Sequence, residues 1–376
     1  MTEANESLTL LSYHANNTAL GTFQNCKGVT NEMNILSVAH AVPSRIVTNR
    51  ELIDTILDKS REHLAPRELS KLETDLRGLF QQIGAETRHL RSPGECAVDF
   101  GIAAAEDALR KANVTPLEVD LLIYAGVGRG FLEPATANVF HEALGLKRAT
   151  CFDILDACAS WLRALDVAVH FMSDDVYRNV LIINCEFNFQ QYFPQVDSIG
   201  RFRELAAGFT IGEAATATLV SCDKGVNEYY ATFRNNGAGN SLCQIPLPHA
   251  ETFLNGSAKP MWRPLEFYAQ SARLHKMAIN ALNEQYWSDE HFVESRYDII
   301  FGHAAGLPAT RKVAQKLRLD EKKHYEIFPN YGNTVSASLP LAMSLALEAG
   351  EFERGDRALF VVGSAGVSSV LCLLEY

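Results

Sequence analysis

Two stretches of this chain run through the same order of residue types, and that repetition limits the fold more than any other feature. Residues 152–172, FDILDACASWLRALDVAVHFM, open as a short apolar strand and cross a run of small residues. They then continue as a helix with Leu162, Leu165, Val169 and Met172 on one face. The stretch YEIFPNYGNTVSASLPLAMSLALEAG has the same order, and each stretch leads through a basic residue into a strand, YRNVLIINCE and RALFVVGSAG. VDLLIYAG, beginning at Val119, likewise resembles YDIIFG, beginning at Tyr297. An internal repeat of about 150–180 residues, each copy alternating strand and helix, predicts one duplicated α/β protein with helix-covered parallel strands. The turn around Cys158 and the turn over 330–338 then occupy matching positions about a pseudo-twofold axis.

Residues 1–33 are polar, rich in Asn and Thr, and weakly periodic, and they are expected to form an N-terminal extension. A first half is predicted over 34–225 and a second over 226–376. Within them the pattern predicts strands over 34–40, 120–125, 180–185, 215–222, 297–301, 325–328, 358–362 and 368–374. Helices are predicted over 48–82, 99–112, 134–144, 265–287, 308–317 and 339–349, the third opened by Pro134. Residues 186–209 carry six aromatics, Phe187, Phe189, Tyr192, Phe193, Phe202 and Phe209, suited to an apolar channel, a subunit interface or a packed loop.

Composition narrows the function. Thirty-four basic against 45 acidic residues give a net charge of −11, which argues against a nucleic-acid partner. No apolar run is long enough to span a membrane, and the N-terminus lacks the basic and apolar regions of a secretory signal. The eight cysteines form no C-x-x-C pair, so neither a metal site nor a disulfide framework is expected, and the cytoplasm is the expected compartment.

Cys158 sits where strand gives way to helix, where unpaired N–H groups and the helix dipole favour thiolate. A small packed cysteine would fit the same stretch. If the two turns face one another, Cys158, His303 and Asn333 converge, a set suited to acyl-thioester chemistry. The thiol takes the acyl group, and imidazole and amide hydrogen-bond the oxygen of a second thioester as its enolate forms. A backbone N–H at Cys158 or Ala365, in the small-residue turn Ser364-Ala365-Gly366, could hold the oxyanion.

These segments resemble the thiolase superfamily, specifically its ketoacyl-ACP synthase III branch, over roughly residues 34–376. NILSVAHAVPSRIVTN, QQIGAETRHL, FDILDACAS, FTIGEAATATLV, FGHAAGLPA with YGNTVSASLPLAM, and VVGSAGVSS carry the resemblance in chain order. It implies a five-layered αβαβα fold with two mixed sheets and buried central helices, working as a homodimer. It implies a Cys158 acyl-enzyme assisted by His303 and Asn333, acyl-CoA or acyl carrier protein thioesters as substrates, and no cofactor. The function implied is Claisen condensation in secondary metabolite or specialised lipid or polyketide biosynthesis. Acyl transfer to an oxygen or nitrogen nucleophile, and service as the partner subunit of a heterodimeric synthase, are the alternatives.

The chain departs from the starter synthases of fatty acid synthesis. Gly306 and Pro308 stand where those enzymes carry an asparagine and a basic residue, and Gly78 and Gln82 where they carry a tryptophan and an arginine for coenzyme A. RGFLEPAT, beginning at Arg129, resembles the Leu-Glu-Pro segment of head-to-head condensing enzymes of olefin and α-pyrone biosynthesis. That resemblance implies that Glu133 reaches across the dimer as base on the α-carbon of the bound acyl chain. As an alternative, Glu133 serves the helix opened at Pro134 as its first-turn acid. Arg311, Lys312, Lys316 and Arg318 form a basic face, either solvated or a landing site for an acidic carrier protein.

Overall fold

The computed structural model describes residues 31–173, 176–187, 195–222, 227–253, 263–303 and 305–376. Its elements in chain order begin with β1 (Asn31–Ala41), β2 (Ile46–Thr48), α1 (Asn49–Ser60), α2 (Pro66–Ile83), β3 (Thr87–His89) and α3 (Ala97–Ala112). There follow β4 (Leu121–Ala125), α4 (Ala137–Ala143), β5 (Thr150–Ile154), α5 (Ser160–Ser173), β6 (Asn179–Glu186), α6 (Phe202–Leu205), β7 (Ala214–Ser221) and β8 (Asn227–Asn235). Beyond them come β9 (Cys243–Gln244), α7 (Ala250–Phe253), β10 (Tyr268–Ala269), α8 (Ser271–Trp287), α9 (Glu290–Glu294), β11 (Ile299–Gly302) and α10 (Leu307–Leu317). The last are α11 (Phe328–Tyr331), α12 (Ser338–Ala349), β12 (Arg357–Ser364) and β13 (Ser368–Glu375).

Nine strands run in the order β11-β12-β13-β8-β1-β7-β6-β4-β5. β5, β4 and β6 are parallel, with β7 antiparallel to β6; β11 and β12 are parallel, with β13 antiparallel to β12. β1 joins the two groups: Asn31–Met33 pairs with β8, and Asn34–Ala41 with β7, with a register shift between Ile35 and Ser37. Such an irregularity bends and twists a strand, which lets one strand serve two sheets.

Two helices lie between the sheets because most of the surface of each is apolar. Trp161, Leu162, Ala164, Leu165, Ala168, Val169 and Met172 of α5 are all buried, as are Leu339, Leu341, Ala342, Met343 and Ala346 of α12. A helix apolar over most of its surface needs protein on most of its sides, and strands of both sheets supply it in one shared core. Trp161 carries the one polar atom of its indole there and donates from Nε1 to Thr218 Oγ1 at 2.9 Å. Small residues of α3 (Ala104, Ala105, Ala108) cover the outer face of β1, β6 and β7, while α8 and α10 cover β12 and β13. The result is five layers, αβαβα.

Several elements differ from the sequence expectations. The extension was expected to reach residue 33, yet β1 starts at Asn31; the rest of that extension, residues 1–30, lies outside the described residues. The predicted helix over 48–82 is two, α1 capped by Thr48 with Glu51, and α2 opened by Pro66 with Glu68 returning to the Ala65 N–H at 3.0 Å. Pro66 cannot donate to the preceding turn, so it begins a helix rather than continuing one. The helix predicted from 265 starts at Ser271, because Tyr268–Ala269 pairs with β9. The strand predicted over 325–328 is reduced to a single bridge between Ile300 and His324, and Phe328 already belongs to α11. Among the described residues, no helix is long and apolar enough to cross a membrane.

Candidate active site

Cys158 stands in a tight turn between β5 and α5. Ala157 takes a left-handed backbone, φ 44, and the chain then coils through one three-residue turn into α5. The turn is fastened from several sides. The Asp156 N–H donates to Ser160 Oγ at 2.8 Å, and Ser160 Oγ donates to the Ala157 carbonyl at 2.7 Å. Asp156 Oδ2 accepts from Arg163 Nε at 3.1 Å and Oδ1 from Ser368 Oγ at 3.2 Å, while Ser364 Oγ donates to the Asp156 carbonyl at 3.2 Å. The β12–β13 turn is thereby pinned to the cysteine turn, bringing Ala365 into the same cavity as Cys158.

His303 follows β11 and is held by its backbone N–H, which donates to the Val361 carbonyl of β12 at 3.0 Å. Asn333 follows α11 through Gly332, whose φ is 67 and whose added Cβ would lie 2.7 Å from the Thr210 carbonyl oxygen. A Cβ on Gly212 would meet the Tyr331 carbonyl oxygen at 1.8 Å. These two glycines let the Tyr331-Gly-Asn-Thr turn cross the Thr210-Ile-Gly segment closely enough to bond it. The Asn333 N–H donates to the Thr210 carbonyl at 2.8 Å, and its carbonyl accepts from the Gly212 N–H at 3.1 Å. The side chain is aimed by its Oδ1, which accepts from the Val335 N–H at 2.9 Å.

Cys158, His303, Asn333 and Ala365 all line one cavity of about 1040 Å³. Its walls are largely apolar, with Leu79, Phe202, Leu274 and Val313 among them, and its rim carries Lys71, Asp75 and Arg203. Gly78 and Gln82 also line it, and a Cβ on Gly78 would meet nothing within 4 Å. Of the aromatic stretch, Phe202 faces the cavity and stacks on Phe209 at 5.8 Å, whereas Phe187 packs against Phe100 in the core. Phe189, Tyr192 and Phe193 lie outside the described residues.

The electrostatics reverse one expectation. Burial pushes the Cys158 thiol well above its usual value, and the Cys243 thiol and Glu186 carboxylate push the same way. A hydrogen bond with Ser364 opposes them. The helix end, worth about 1 kcal/mol or less, does not offset such desolvation, so the resting group is the thiol. Burial lowers the His303 pKa to about 4, with His275 adding to the effect, so this imidazole is neutral near pH 7. Its Nδ1 is buried with no hydrogen-bond partner among the described residues. A buried orphan acceptor is better tolerated than a buried orphan N–H, which favours the tautomer with the proton on Nε2, the nitrogen that can meet a substrate.

Glu133 is placed elsewhere. It is exposed, it does not line this cavity, and the helix expected from Pro134 begins at Ala137. The carboxylate that caps this helix is that of Asp153, accepting from the Thr136 and Ala137 N–H groups at 2.8 Å each. The first-turn role suggested for Glu133 is therefore filled by another residue. Arg311, Lys312, Lys316 and Arg318 are all exposed on and just past α10.

Sequence reasoning missed four polar groups around the thiol. Cys243, on β9, and His275, on α8, line the cavity, and neither lies in a segment that drew attention. Glu186 and Ser336 sit behind the cysteine turn: Ser336 Oγ lies 2.6 Å from Glu186 Oε1, which also accepts from the Val127 N–H at 2.9 Å. Aligning DACAS with TVSAS pairs Cys158 with Ser336, a signal that was available in the repeat. The seven described cysteines are all free.

Comparisons with known proteins bear on the class and the fold of the chain. The sequence profile of 3-oxoacyl-[acyl-carrier-protein] synthase III matches residues 152–237, and that of its C-terminal part matches 289–376. The beta-ketoacyl-[acyl-carrier-protein] synthase III of Symbiobacterium thermophilum is 26% identical over 338 residues, spanning 89% of this chain and 94% of that protein. The Clostridium tetani synthase of the same name is 26% identical over 353 residues, spanning 92% and 98%. Among solved structures, a cysteine-to-serine variant of Xanthomonas campestris OleA with bound lauric acid and lauroyl-CoA superposes with a TM-score of 0.77. It is 20% identical and covers 92% of this chain and 99% of that one. Cerulenin-bound OleA gives 0.78 at 21% identity, covering 94% and 98%. The fold is thus that of the thiolases. Within that class, the chain is a ketoacyl-ACP-synthase-III-like acyltransferase of the condensing type.

Proposed function

We propose that this enzyme joins two acyl thioesters through an acyl group carried on Cys158. The observation that supports it is the convergence of Cys158, His303 and Asn333 on one apolar cavity large enough for acyl chains. In the first half-reaction Cys158 Sγ attacks the thioester carbonyl, and the backbone N–H groups of Cys158 and Ala365 receive the oxyanion. The carrier thiol leaves with the proton that Cys158 gave up. In the second, an α-proton is removed from the second acyl thioester, and the resulting carbanion attacks the carbonyl carbon of the acyl group on Cys158. The bond from that carbon to Sγ then breaks, returning the sulfur as thiolate and leaving the β-keto product on the second carrier. His303 Nε2 and Asn333 Nδ2 hold a thioester oxygen while negative charge develops on it, a role in which neutral donors need not change protonation state.

Glu133 serves as the base in this reading, delivered to the cavity of a partner protomer in a homodimer, which accords with its exposure and its absence from the lining of the cavity in its own chain. A free carboxylate base removes the need for a malonyl decarboxylation. The missing coenzyme A contacts at Gly78 and Gln82 and the exposed basic face of α10 suit an acyl carrier protein as donor, with the cytosol as the place of work. Nothing in this scheme calls on a cofactor beyond the thioesters. The pathway served is specialised lipid or secondary metabolite synthesis.

The test is to incubate the pure protein with lauroyl-CoA and search for a β-keto product by mass spectrometry. The proposal expects it from the wild type and not from Cys158→Ala. If Asn333→Ala and Glu133→Ala both keep full turnover while Cys158→Ala loses it, the enzyme transfers its acyl group to an oxygen or nitrogen nucleophile instead. If Cys158 accepts no acyl group from any thioester, the chain is the partner subunit of a heterodimeric synthase.

A further inference from the structure

We infer that His275 is a second catalytic histidine of this cavity, hydrogen-bonding the oxygen of the second acyl thioester across from His303. The inference rests on the condensation reading above and names the group that completes it.

Gly306 supplies no side chain to the reaction, and little room exists for one. A Cβ there would lie 3.1 Å from Ile83 Cβ, and the residue's φ of 154 is one that side chains rarely adopt. Thr310 is the next hydrogen-bonding side chain along that segment among the described residues, and its Oγ1 is buried without a partner. The polar groups facing His303 must therefore come from other elements, and two histidines line the same cavity. His324 Nε2 is buried and unpartnered, and its ring lies against the strand end, its Cε1 and Nδ1 3.9 Å from a Cβ built on Gly302.

His275 is differently placed. Ser271, His275, Ala278 and Leu282 recur at helical spacing along α8, and all four line the cavity, so the imidazole rises from the helix face turned to the substrate. The ring makes no hydrogen bond to the protein among the described residues, though it is half-buried. Its neighbours along the stripe are small or apolar, a setting in which an imidazole without a partner lowers stability relative to an apolar side chain. Burial keeps His275 neutral near pH 7, and it is near enough to His303 that protonating either imidazole disfavours protonating the other. Two neutral imidazoles near one another can each donate one N–H to the same oxygen without either having to lose a proton. That is the requirement for holding an enolate, since a cationic pair would repel.

The experiment compares wild type, His275→Leu and His275→Gln, each as purified full-length chain. Lauroyl-CoA is added in slight excess; Cys158 acylation is followed by intact mass and condensation by β-keto product in the same single-turnover run. With one oxyanion donor removed, His275→Leu should lose condensation about 10²-fold, at least ten times more than it loses acylation. His275→Gln, which keeps an N–H donor, should recover most of that loss. Condensation at the wild-type rate in His275→Leu, or equal losses in both steps, overturns the assignment. A Leu variant that still acylates is folded at the site, so global unfolding is told apart within the same run. If the wild type fails to acylate Cys158, or acylates and forms no β-keto product, the condensation reading itself has failed.

Discussion

The turns that carry Cys158 and Ser336 are built alike and used differently. Ala157 and Val335 each take a left-handed backbone, φ 44 and 51, and each opens a three-residue turn that passes into a helix beginning with serine. Cys158 and Ser336 are the central residues of the two turns, and the turns pack against each other. Cys158 is partly exposed to the cavity. Ser336 is 1% exposed, and its hydroxyl lies 2.6 Å from Glu186 Oε1 and 3.0 Å from the Ala125 carbonyl while accepting from Asn184 Nδ2 at 3.1 Å. One backbone motif thus presents the proposed nucleophile in one place and anchors a buried carboxylate in the other. The surroundings, rather than the turn, decide which turn does chemistry. A non-glycine left-handed residue costs about 1–2 kcal/mol, and the structure holds two of them with their turns packed together.

The comparison can be broken most sharply at its central atoms. Cys158→Ala should lower product formation by about 10⁴-fold or more, as removal of a covalent nucleophile does, with thermal stability close to wild type. Ser336→Cys should place a second thiol in the matching turn that gains no acyl mass; acylation there would show that the turn alone makes the nucleophile. Asn333→Ala should reduce condensation about 10²–10³-fold while Cys158 still acylates, which a single-turnover assay separates. Ser336→Ala leaves Glu186 without its hydroxyl and should cost about 1–3 kcal/mol in denaturant unfolding, with a smaller effect on rate than Asn333→Ala. The smallest effect concerns Ala157→Gly, which relieves the left-handed strain but loosens the unfolded chain, and should shift stability by less than about 1 kcal/mol.

The pH dependence sharpens the contrast between the site and the surface. With a pKa of about 4 instead of 6.5, His303 stays neutral well into acid, so the acid limb it imposes on kcat/KM should fall near pH 4. In the unfolded chain the same histidine takes up a proton near pH 6.5. Between about 6.5 and 4 the unfolded state therefore binds more protons, and folding stability should fall as pH is lowered through that window. His275 and His324, also lowered by burial, contribute with the same sign. A His303→Asn variant should lose part of that slope in urea unfolding measured across the window.

The sequence was most legible where local pattern and chemistry coincide. The apolar runs of α5 and α12 cover most of each helix, so their burial between layers follows from the sequence pattern, and the small-residue turns before them show where reactive groups can emerge. Cys158, His303, Asn333 and Ala365 could be named from motifs at the ends of strands, and all four line one cavity. What was not legible depends on contacts between distant segments. The α1–α2 break was signalled by Pro66 and passed over, because the charged periodicity runs on through it. The strand expected at 325–328 failed because pairing with Ile300 stops at the His324 bridge and the Tyr325 N–H before Phe328 turns into α11. The high thiol pKa of Cys158 depends on burial and on Cys243 and Glu186, which no local pattern reports. His275 sits in an ordinary amphipathic helix, and only the assembled cavity singles it out.

The account rests on Cys158 as the group that carries the acyl chain, and intact-protein mass spectrometry after exposure to a panel of acyl thioesters tests that most directly. The prediction is one acyl mass per chain, mapped by peptide analysis to Cys158, absent in Cys158→Ala, and discharged when a second thioester is added. An acyl mass that persists in Cys158→Ala, or maps to Cys243, would contradict it.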